Sequence, residues 1–576
     1  MEKNTVWAIV LSTIVLVGFF LMQTFMFPNK KNLSAKSNKN NNYEEKSEDS
    51  AYGTMLNGND TFLVTPRSIN NQSEKNYVIS TEKVKVTFTN FGGDIIGYEL
   101  LAHKDIDTGK GIEMADNITK NNRAFSIAFG SKKEFINDIF NVKILDDYTI
   151  GFFNDYSVIN NDGSISNFTF GKKYSFKKDD YVFKLDITVN GDENFNGFNE
   201  TGIAYSIKTS PQIGPFYNPK MNRYENRQII SYNGEKRKRI IIGTNQTKTY
   251  DKLWTWTAVA GKYFEILAFP EDISKVNNVV EYTSKSENDK INSQLFISRN
   301  ASSENSFNDT YYFYVGPRNE KELSIYNIAE KNSWNLNNAH FNESLQTSGF
   351  LSWLEFILKF FLELINKVVR NWGVSIIILT MLLKMVMFPI TAKTAKGTLK
   401  MQELQPKMTA IQEKYKDNPK KLQEQTAKLY KEGGYNPMSG CLPLIVQFVI
   451  LFAMYNLFNN YFEFRGAMFI PGWIPDLSSG DHVATLNFNI PFLGNQIRIL
   501  PVIYLISQLL FGKITQNGGT SAGQNQGQMK IMMYGMPILF FFLFYNAPSG
   551  LLIYWTVSNA MQLGQQLVIN KVVKKN

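Results

Sequence analysis

The pattern of hydrophobic and polar positions divides the chain into an apolar start, a polar stretch, a long β-like part and an apolar last third. The apolar run within residues 1–27 is long enough to cross a bilayer, since ~20 residues suffice. No small-residue cleavage site follows this run, which favours an uncleaved signal-anchor helix over a cleaved signal peptide. Residues 28–75 contain mostly Asn, Ser, Lys and Glu, and this composition predicts a flexible polar linker.

Residues 76–330 show the alternation that is typical of β-strands. Val84–Thr89 alternates with a period of two residues, and the turn sequence Asn-Phe-Gly-Gly-Asp follows it at 90–94. Further alternating runs at 181–187 and 311–315 are separated by turn residues. Many short strands at this spacing predict a β-sandwich. Because hydrophobic segments flank this part on both sides, we expect an extramembrane domain.

Residues 350–368 predict an amphipathic helix. Its apolar positions recur at steps of three and four residues: Leu351, Leu354, Leu358, Phe361 and Ile365. Its charged positions take the other faces: Glu355, Lys359, Glu363 and Lys367. This pattern favours a helix that lies in the membrane interface. The alternative is an ordinary surface helix of the β domain.

The last third, 371–570, predicts a bundle of five membrane-spanning helices. Its apolar stretches lie at 371–391, 440–459, 497–511, 530–545 and 550–569. The third and fourth hold about fifteen residues each, or ~22 Å of helix, which is shorter than a ~30 Å hydrocarbon core. Bilayer thinning or burial beside other helices accommodates such short spans. The predicted fold class is therefore an α-helical polytopic membrane bundle, with six spans when the anchor is included, plus an extramembrane β domain.

The distribution of charge predicts the orientation in the membrane. The formal net charge is +10, and ten lysines lie in the loop 392–438. Under the positive-inside rule, this loop and the lysine-containing C-terminus are cytoplasmic. Six spans then place the N-terminus in the cytoplasm and the β domain on the opposite side. Lys30 and Lys31 oppose this assignment, but long exported segments follow the rule poorly.

The loop 392–438 predicts structure of its own. Two helical stripes are separated by Asp-Asn-Pro at 417–419, a sequence that stops one helix and starts the next. The result is a cytoplasmic helical hairpin whose basic exterior includes Lys407, Lys414, Lys420 and Lys421. Such an exterior suits contacts with anionic lipid, a ribosome or a nascent chain, and the alternative is a solvated face without a partner. No nucleic-acid motif accompanies these lysines, so we expect no specific nucleic acid among the partners.

Lys384 is the most informative residue, because it lies inside the apolar stretch 371–391. It is about 20 Å of helix from Asn371 and about 10 Å from Thr391, so it lies in the cytoplasmic half of the span. A lysine at the membrane centre costs ~2.5–3.5 kcal/mol on insertion scales, so it usually faces a partner or a wet cavity. The alternative is snorkelling, in which the side chain reaches the inner interface.

Polar residues on other parts of the bundle favour a cavity around this lysine. They lie on its own span, on the 440–459 span and on one face of the last span: Thr380, Gln447, Ser558, Asn559, Gln562, Gln565 and Gln566. Polar faces of apolar helices turn inward, and the five spans contain no acidic residue. We therefore predict a positively charged hydrophilic groove that receives an acidic residue of another protein. The alternative for the glutamines is hydrogen bonding between helices.

Six short motifs follow one another in the last third of the chain. They are NWGVSIII at 371–378, FPIT at 388–391, LQPK at 404–407, NPMSGCLP at 436–443, PSGL at 548–551 and VSN at 557–559. In this order they resemble the YidC/Oxa1/Alb3 family of membrane protein insertases over roughly 350–570. The resemblance implies a protein that inserts and helps fold integral membrane proteins, alone or with the Sec translocon, and that is not an enzyme.

The large β domain and the additional first span resemble the members of this family from bacteria with two membranes. That likeness implies a multi-pass protein of the bacterial inner membrane. It also implies that the β domain is periplasmic and has a β-supersandwich fold like that of galactose mutarotases. The sequences at 90–94 and 314–318 are similar to motifs of that domain.

The resemblance also implies roles for particular residues. The family has a functional cation, usually an arginine, at the position of Lys384, so the charge is kept although the bidentate guanidinium is not. The family's client-contacting slide corresponds here to Leu451, Met454, Tyr455, Tyr554 and Trp555. The implied partners are nascent membrane proteins, the Sec translocon, the ribosome and anionic lipids.

A transporter or channel that uses Lys384 as a gating or substrate-binding charge is the alternative function. Such a protein is expected to contain paired intramembrane acids or inverted repeats, and the sequence has neither. An enzyme housed in the β domain is a second alternative. However, the histidines are scattered, and no metal-ligand or Walker A spacing occurs. We therefore expect no nucleotide, metal or other cofactor.

Overall fold

The chain forms two compact units, Met1–Leu345 and Gln346–Asn576. The computed structural model describes residues 63–67, 73–105, 108–131, 133–159, 163–196, 198, 202–217, 225, 227–241, 245–250, 254–287, 290–345, 351–434, 438–490, 493–516 and 534–573. The predicted signal anchor at 1–27 lies outside the described residues.

The first unit consists mainly of β-strands. They are β1 Leu63–Pro66, β2 Asn76–Ser80, β3 Val84–Thr89, β4 Asp94–Lys104, β5 Gly111–Glu113, β6 Ile127–Phe129, β7 Asn141–Asp146, β8 Thr149–Ile159, β9 Ile165–Ser175, β10 Val182–Gly191, β11 Ile203–Lys208, β12 Gln228–Tyr232, β13 Arg237–Ile241, β14 Gln246–Tyr250, β15 Trp256–Ala260, β16 Phe264–Pro270, β17 Val276–Glu287, β18 Lys290–Asn300 and β19 Ser306–Pro317. In β9 every second residue is buried, which is the pattern of a strand with one face on the core. In β12 and β15 every residue is buried, because both faces are covered.

Antiparallel pairing joins these strands into three sheets. The largest sheet has ten strands in the order β1-β8-β9-β10-β19-β16-β15-β12-β13, with β7 also paired to β8. The second has the order β14-β17-β18-β11-β6, and the third has the order β2-β3-β4-β5. Large aromatic side chains fill the core, among them Tyr174, Phe183, Trp254, Trp256 and Phe313. The unit is therefore the β-sheet-rich domain that the alternating sequence predicts.

The predicted turn at 90–94 joins β3 to β4 and requires its glycines. Gly93 has a φ of +60, and a Cβ at this position would lie 2.8 Å from Cβ of Phe152. Beyond the turn, the buried carboxylate of Asp94 pairs with Lys172 Nζ at 2.7 Å and with Arg123 Nε at 2.9 Å. A buried carboxylate is tolerated when it is paired in this way, so the three side chains fix the turn against the large sheet.

The structure moves both predicted boundaries of the β domain. Leu63–Pro66 lies inside the predicted linker 28–75, yet it pairs with β8 as an edge strand. At the other end the unit continues past 330 to Leu345 through helix α1, Glu320–Ser324, and short 3-10 helices. These segments are too short to show a period, so the sequence pattern did not reveal them.

Helices form most of the second unit. They are α2 Ser352–Val369, α3 Trp372–Lys414, α4 Pro419–Glu432, α5 Met438–Asn460, α6 Leu500–Gln516, α7 Met536–Phe544 and α8 Ser549–Val573. The strands β20 Ala484–Ile490 and β21 Gly494–Ile497 form a hairpin between α5 and α6. Helix α3 packs against α2, α4, α5 and α8, and α8 also packs against α6. Among the described residues, the segment Trp372–Ala392 of α3 is the one helix long and apolar enough to cross a membrane.

Helix α3 is continuous for 43 residues and contains Pro389 and Pro406. The predicted loop at 392–438 therefore begins as a continuation of the span, which corrects the boundary between span and hairpin. Each proline removes a backbone N–H and its ring clashes with the carbonyl four residues earlier, so the helix continues through both against a local preference for a break. The end of α3 and α4 form the predicted hairpin, and Asn418 caps α4 by accepting from the amide of Lys421 at 3.1 Å.

Candidate functional site

The side chain of Lys384 lies inside the helical bundle and is only 6% exposed. Its ammonium donates to Oε1 of Gln447 on α5 at 2.9 Å and to Oε1 of Gln562 on α8 at 3.4 Å. Snorkelling would have left this nitrogen outside the bundle, so the structure favours the alternative of polar partners. One cation on α3 thus joins two neighbouring helices.

Hydrogen bonds fix the orientation of two glutamine amides at this site. Gln447 presents its oxygen to Lys384 and donates through Nε2 to Oγ of Ser558 at 3.3 Å. Gln565 donates through Nε2 to the backbone carbonyl of Lys384 at 3.1 Å. Lys384, Gln447, Ser558, Gln562 and Gln565 therefore form one cluster, and we call it the Lys384 cluster. The alternative prediction for the glutamines, hydrogen bonding between helices, also holds here, because Gln447 and Ser558 join two helices.

Two acidic side chains of α2 form polar contacts at a distance from Lys384. Glu355 accepts from Nδ2 of Asn456 at 3.0 Å, and Glu363 accepts from the hydroxyl of Tyr461 at 2.6 Å. Asn456 follows Gln447 on α5 by nine residues, or about 14 Å of helix, and Tyr461 lies directly after the end of α5. Among the described residues, no ion pair is formed by Lys384, and the amides that accept from its ammonium are neutral.

Thr380 and Asn559 were expected in the same groove, but their described hydrogen bonds go to other residues than Lys384. The hydroxyl of Thr380 donates to the carbonyl of Ile376 in its own helix at 2.7 Å. Asn559 donates to Oγ of Ser507 at 3.1 Å and accepts from Nε2 of Gln508 at 3.4 Å. Ser507 and Gln508 were not among the residues predicted from the sequence. They could have been predicted, because they are two adjacent polar residues within the apolar stretch 497–511.

Comparison with known proteins identifies the family. The model of the 60Kd inner membrane protein family matches residues 364–576, and that of the YidC periplasmic domain matches residues 76–364. The membrane protein insertase YidC of Treponema denticola is 44% identical over 586 residues, with 100% of both chains covered. The chain belongs to the YidC family of membrane protein insertases. The insertase of Treponema pallidum is 37% identical over 624 residues, again with 100% of both chains covered.

A crystal structure of an active YidC insertase with its first transmembrane domain resolved is similar over 86% of this chain and 92% of that one, with a TM-score of 0.35 and 18% identity. Membership of the YidC family makes this chain a bacterial inner-membrane insertase with a periplasmic domain. Its activity is insertion of nascent membrane proteins, not an enzymatic reaction. The alternative of a transporter or channel has no support among these relatives.

The slide residues implied by the YidC resemblance are buried. Leu451, Met454, Tyr455, Tyr554 and Trp555 are at most 8% exposed. The ring of Trp555 stacks on Tyr504 with centroids 5.0 Å apart and meets Phe544 edge-on at 4.6 Å. These residues therefore form part of the bundle core in this structure, and their role as a client slide stays a prediction. Large aromatic side chains are most stable where neighbouring helices cover them.

Helix α2 is amphipathic, but its polar side is the packed one. Glu355 and Glu363 face α5, and Leu358 and Leu362 are buried. The exposed apolar residues lie at helical spacing along the opposite side: Trp353, Phe356, Ile357, Phe360, Phe361, Leu364 and Val368. The predicted helix is confirmed, whereas the predicted stripe is corrected, because Leu358 and Phe361 lie on different sides. An apolar face of this size is typical of a helix that contacts lipid.

The helical hairpin carries the predicted basic exterior. Met408 and Leu429 are buried between its two helices. A Cβ on Gly433 would lie 2.5 Å from Cδ1 of Leu404, so the two helices approach closely where α4 ends. The lysines singled out from the sequence are all exposed: Lys407, Lys414, Lys420 and Lys421.

Proposed function

We propose that this chain inserts its clients through a polar groove centred on the Lys384 cluster. One observation carries the proposal: the ammonium of Lys384 is buried among helices, and in the described part of the chain it donates to the neutral amides of Gln447 and Gln562. A buried cation without a counterion is costly, so a carboxylate that reaches it gains an ion pair that water would weaken. An acidic residue in a short translocated segment of a client is the matching group.

The groove lowers the free-energy barrier for moving a polar segment of the client into the membrane, and partitioning of the client's apolar helix into lipid completes insertion. While Lys384 holds the client's acid, the client's apolar helix partitions from the groove into lipid, and burial of its apolar surface drives insertion. No bound nucleotide is needed for this sequence of events. Exposed apolar residues beside Lys384 on α3, such as Met381, Met385 and Val386, leave a lipid-facing side for the exit.

The proposed topology has six spans, with both termini in the cytoplasm and the β domain in the periplasm. The apolar stretches at 497–511 and 530–545 hold about fifteen residues each, or ~22 Å of helix, which is short of a ~30 Å hydrocarbon core. Short helices of this kind support a locally thinned bilayer around the groove. We place α2 in the outer interface with its exposed apolar face towards lipid.

The proposed lipid and ribosome partners follow from the basic surface of the hairpin. The exposed lysines of the hairpin suit anionic lipid headgroups and the phosphate-rich surface of a ribosome. Cooperation with the Sec translocon is part of the proposal and rests on the family alone.

Insertion of a single-span client into proteoliposomes tests the proposal. The client carries one Asp in its short translocated segment, and its matched form carries Asn. We expect Lys384→Arg to insert the Asp client, whereas Lys384→Glu loses at least tenfold, because two carboxylates then repel. Lys513→Glu, which makes the same charge change at an exposed lysine of α6, is the control and is expected to keep activity. Equal activity of all variants would remove Lys384 from the site.

A further inference from the structure

Helices α5 and α8 are joined in two different ways along their length. Near one end, a Cβ on Gly550 would lie 2.9 Å from the ring of Phe458, so the helices are in close apolar contact there. Towards the other end they are joined through polar atoms, directly by Gln447 and Ser558 and indirectly by the ammonium of Lys384. The first contact cannot be exchanged for a polar ligand, whereas the second can.

The buried slide residues lie on the same helix faces as the polar bridge. On α5, Leu451, Met454 and Phe458 follow Gln447 at steps of three and four residues. On α8, Tyr554 precedes Ser558 by four residues, and Ser558 precedes Gln562 by four. The polar bridge therefore closes the same seam in which these apolar side chains are buried.

We infer that Gln447 and Gln562 are exchangeable ligands of Lys384, and that a client carboxylate displaces them and parts α5 from α8 at this end. The inference rests on the proposed function and assigns these two glutamines a role in client specificity. An ammonium has three donors, and two of them are directed at these amides in the described part of the chain. A carboxylate accepts more strongly than a neutral amide, so it competes for the same donors.

Displacement by a client carboxylate is favourable because the ligands of Lys384 are neutral amides and not carboxylates. A glutamine that leaves Lys384 carries no charge, so its release strands no ion in the bundle. A glutamate at the same place would pair with the ammonium permanently and leave the client's acid without a partner. A neutral client gains no ion pair, so it does not displace the amides. The two glutamines therefore allow anionic segments, but not neutral ones, to bind Lys384.

Gln565 offers the entering segment a complementary group. Its Nε2 donates to the carbonyl of Lys384, which fixes the amide so that Oε1 is the free end. That oxygen is buried and has no hydrogen-bond partner among the described residues. A peptide N–H beside the client's acid matches it, because a buried acceptor without a donor is costly.

The distance between α5 and α8 tests the inference in proteoliposomes of the full chain. Spin labels at Val446→Cys and Leu567→Cys, in a Cys441→Ser background, report this distance by double electron–electron resonance. The probe is an apolar helical peptide of about twenty residues, long enough to span, with a single Asp or a single Asn. We expect the Asp peptide to lengthen the distance and the Asn peptide to leave it unchanged.

Two variants separate the ligand exchange from a general effect of charge. With Gln447→Glu, the Asp peptide is expected to leave the distance unchanged, and insertion of an Asp client falls about tenfold, the loss that one blocked ion pair of ~1.4 kcal/mol would cause. Gln508→Glu adds the same charge in the polar contact of Asn559, away from Lys384, and is expected to respond like the unmodified protein. The resting distance of each variant, measured without peptide, reports whether its bundle is folded.

The outcomes distinguish the inference from the proposed function. An unmodified protein that inserts the Asp client without any change of distance overturns the exchange and leaves the insertase proposal intact. A Gln447→Glu variant that opens like the unmodified protein also overturns it. Failure of the unmodified protein to discriminate Asp from Asn clients in insertion overturns the proposed role of Lys384 itself.

Discussion

Ser558 and Asn559 are consecutive residues of α8, yet their side chains hydrogen-bond to different helices. Ser558 accepts from Gln447 on α5, whereas Asn559 donates to Ser507 on α6. Adjacent residues on a helix point about 100° apart, so one polar pair serves two neighbours. Helix α8 therefore takes part in the Lys384 cluster on one side and in a separate polar contact with α6 on the other.

This division predicts that Asn559 acts in stability and not in client choice. Asn559→Leu removes one hydrogen bond from Ser507 and one from Gln508, although both side chains keep a bond to Tyr504. Since each hydrogen bond contributes about 0.5–1.5 kcal/mol, the loss is expected to lower the stability of the bundle by about 1–3 kcal/mol. Thermal unfolding in detergent measures this loss. The ratio of Asp to Asn client insertion is expected to stay as in the unmodified protein. A changed ratio would place Asn559 in the client site after all.

The Lys384 cluster was predictable because polar side chains in apolar helices are costly to expose to lipid and therefore turn towards one another. Lys384, Gln447 and Gln562 each lie in an otherwise apolar stretch, so their mutual contact follows from the cost of exposing them to lipid. Burial of Trp555 was not predictable in the same way. In an apolar stretch every side chain satisfies the pattern, and the sequence does not say which ones meet a neighbouring helix.

Long regular elements of the fold were predictable from the sequence, whereas short elements and element boundaries were not. The β domain was predictable from its period of two, which holds over long strands such as β9. The edge strand Leu63–Pro66 has only four residues and no clear alternation, so it could not be distinguished from the polar sequence around it. The continuation of α3 through Pro389 depends on helix packing, which outweighs the local preference for a break.

Lys208 predicts a pH dependence of the β domain. Burial lowers the pKa of its ammonium to about 8, while Asp94 opposes part of this effect. The nitrogen lies 3.9 Å from the ring centroid of Phe135. Because the folded pKa is below the unfolded value, the unfolded chain binds the proton more tightly. The contribution of Lys208 is therefore fully present above pH ~10.5 and is lost as the pH falls through about 8.

Chemical unfolding of a fragment covering 63–345 measures this effect. We expect the free energy of unfolding to rise between pH 8 and 10 by an amount of the order of 3 kcal/mol relative to Lys208→Met. Lys143→Met, at an exposed lysine of β7, is the control and is expected to keep the full rise. A rise of the same size in Lys208→Met would exclude Lys208 as its origin.

The exposed apolar face of α2 predicts contact with lipid. A spin label at Phe356, which is 71% exposed, is expected to be reached by oxygen from the bilayer. A label at Lys414, an exposed residue near the end of α3 in the hairpin, is expected to be reached by a water-soluble nickel complex. Power-saturation measurements in liposomes compare the two sites. Equal access of the nickel complex to both would argue against an interfacial position.

The hairpin lysines predict a salt-dependent affinity for an anionic partner. Replacing Lys407, Lys414, Lys420 and Lys421 by Gln is expected to weaken binding to ribosomes by about tenfold or more, since each cation near such a surface contributes roughly 1 kcal/mol at low salt. Co-sedimentation of the detergent-solubilised protein at two salt concentrations measures it. The matched control neutralises four exposed lysines of the β domain: Lys85, Lys104, Lys143 and Lys178. Equal loss in both variants would indicate unspecific attraction.

Charge reversal tests most directly whether Lys384 pairs with a client's acid. Lys384→Glu is combined with two clients that differ only in carrying Asp or Lys in the translocated segment, and insertion is measured in proteoliposomes. We expect Lys384→Glu to insert the Lys client and to fail with the Asp client, the reverse of the unmodified protein. If both proteins preferred the same client, no ion pair at Lys384 would govern insertion, and the central claim would be wrong.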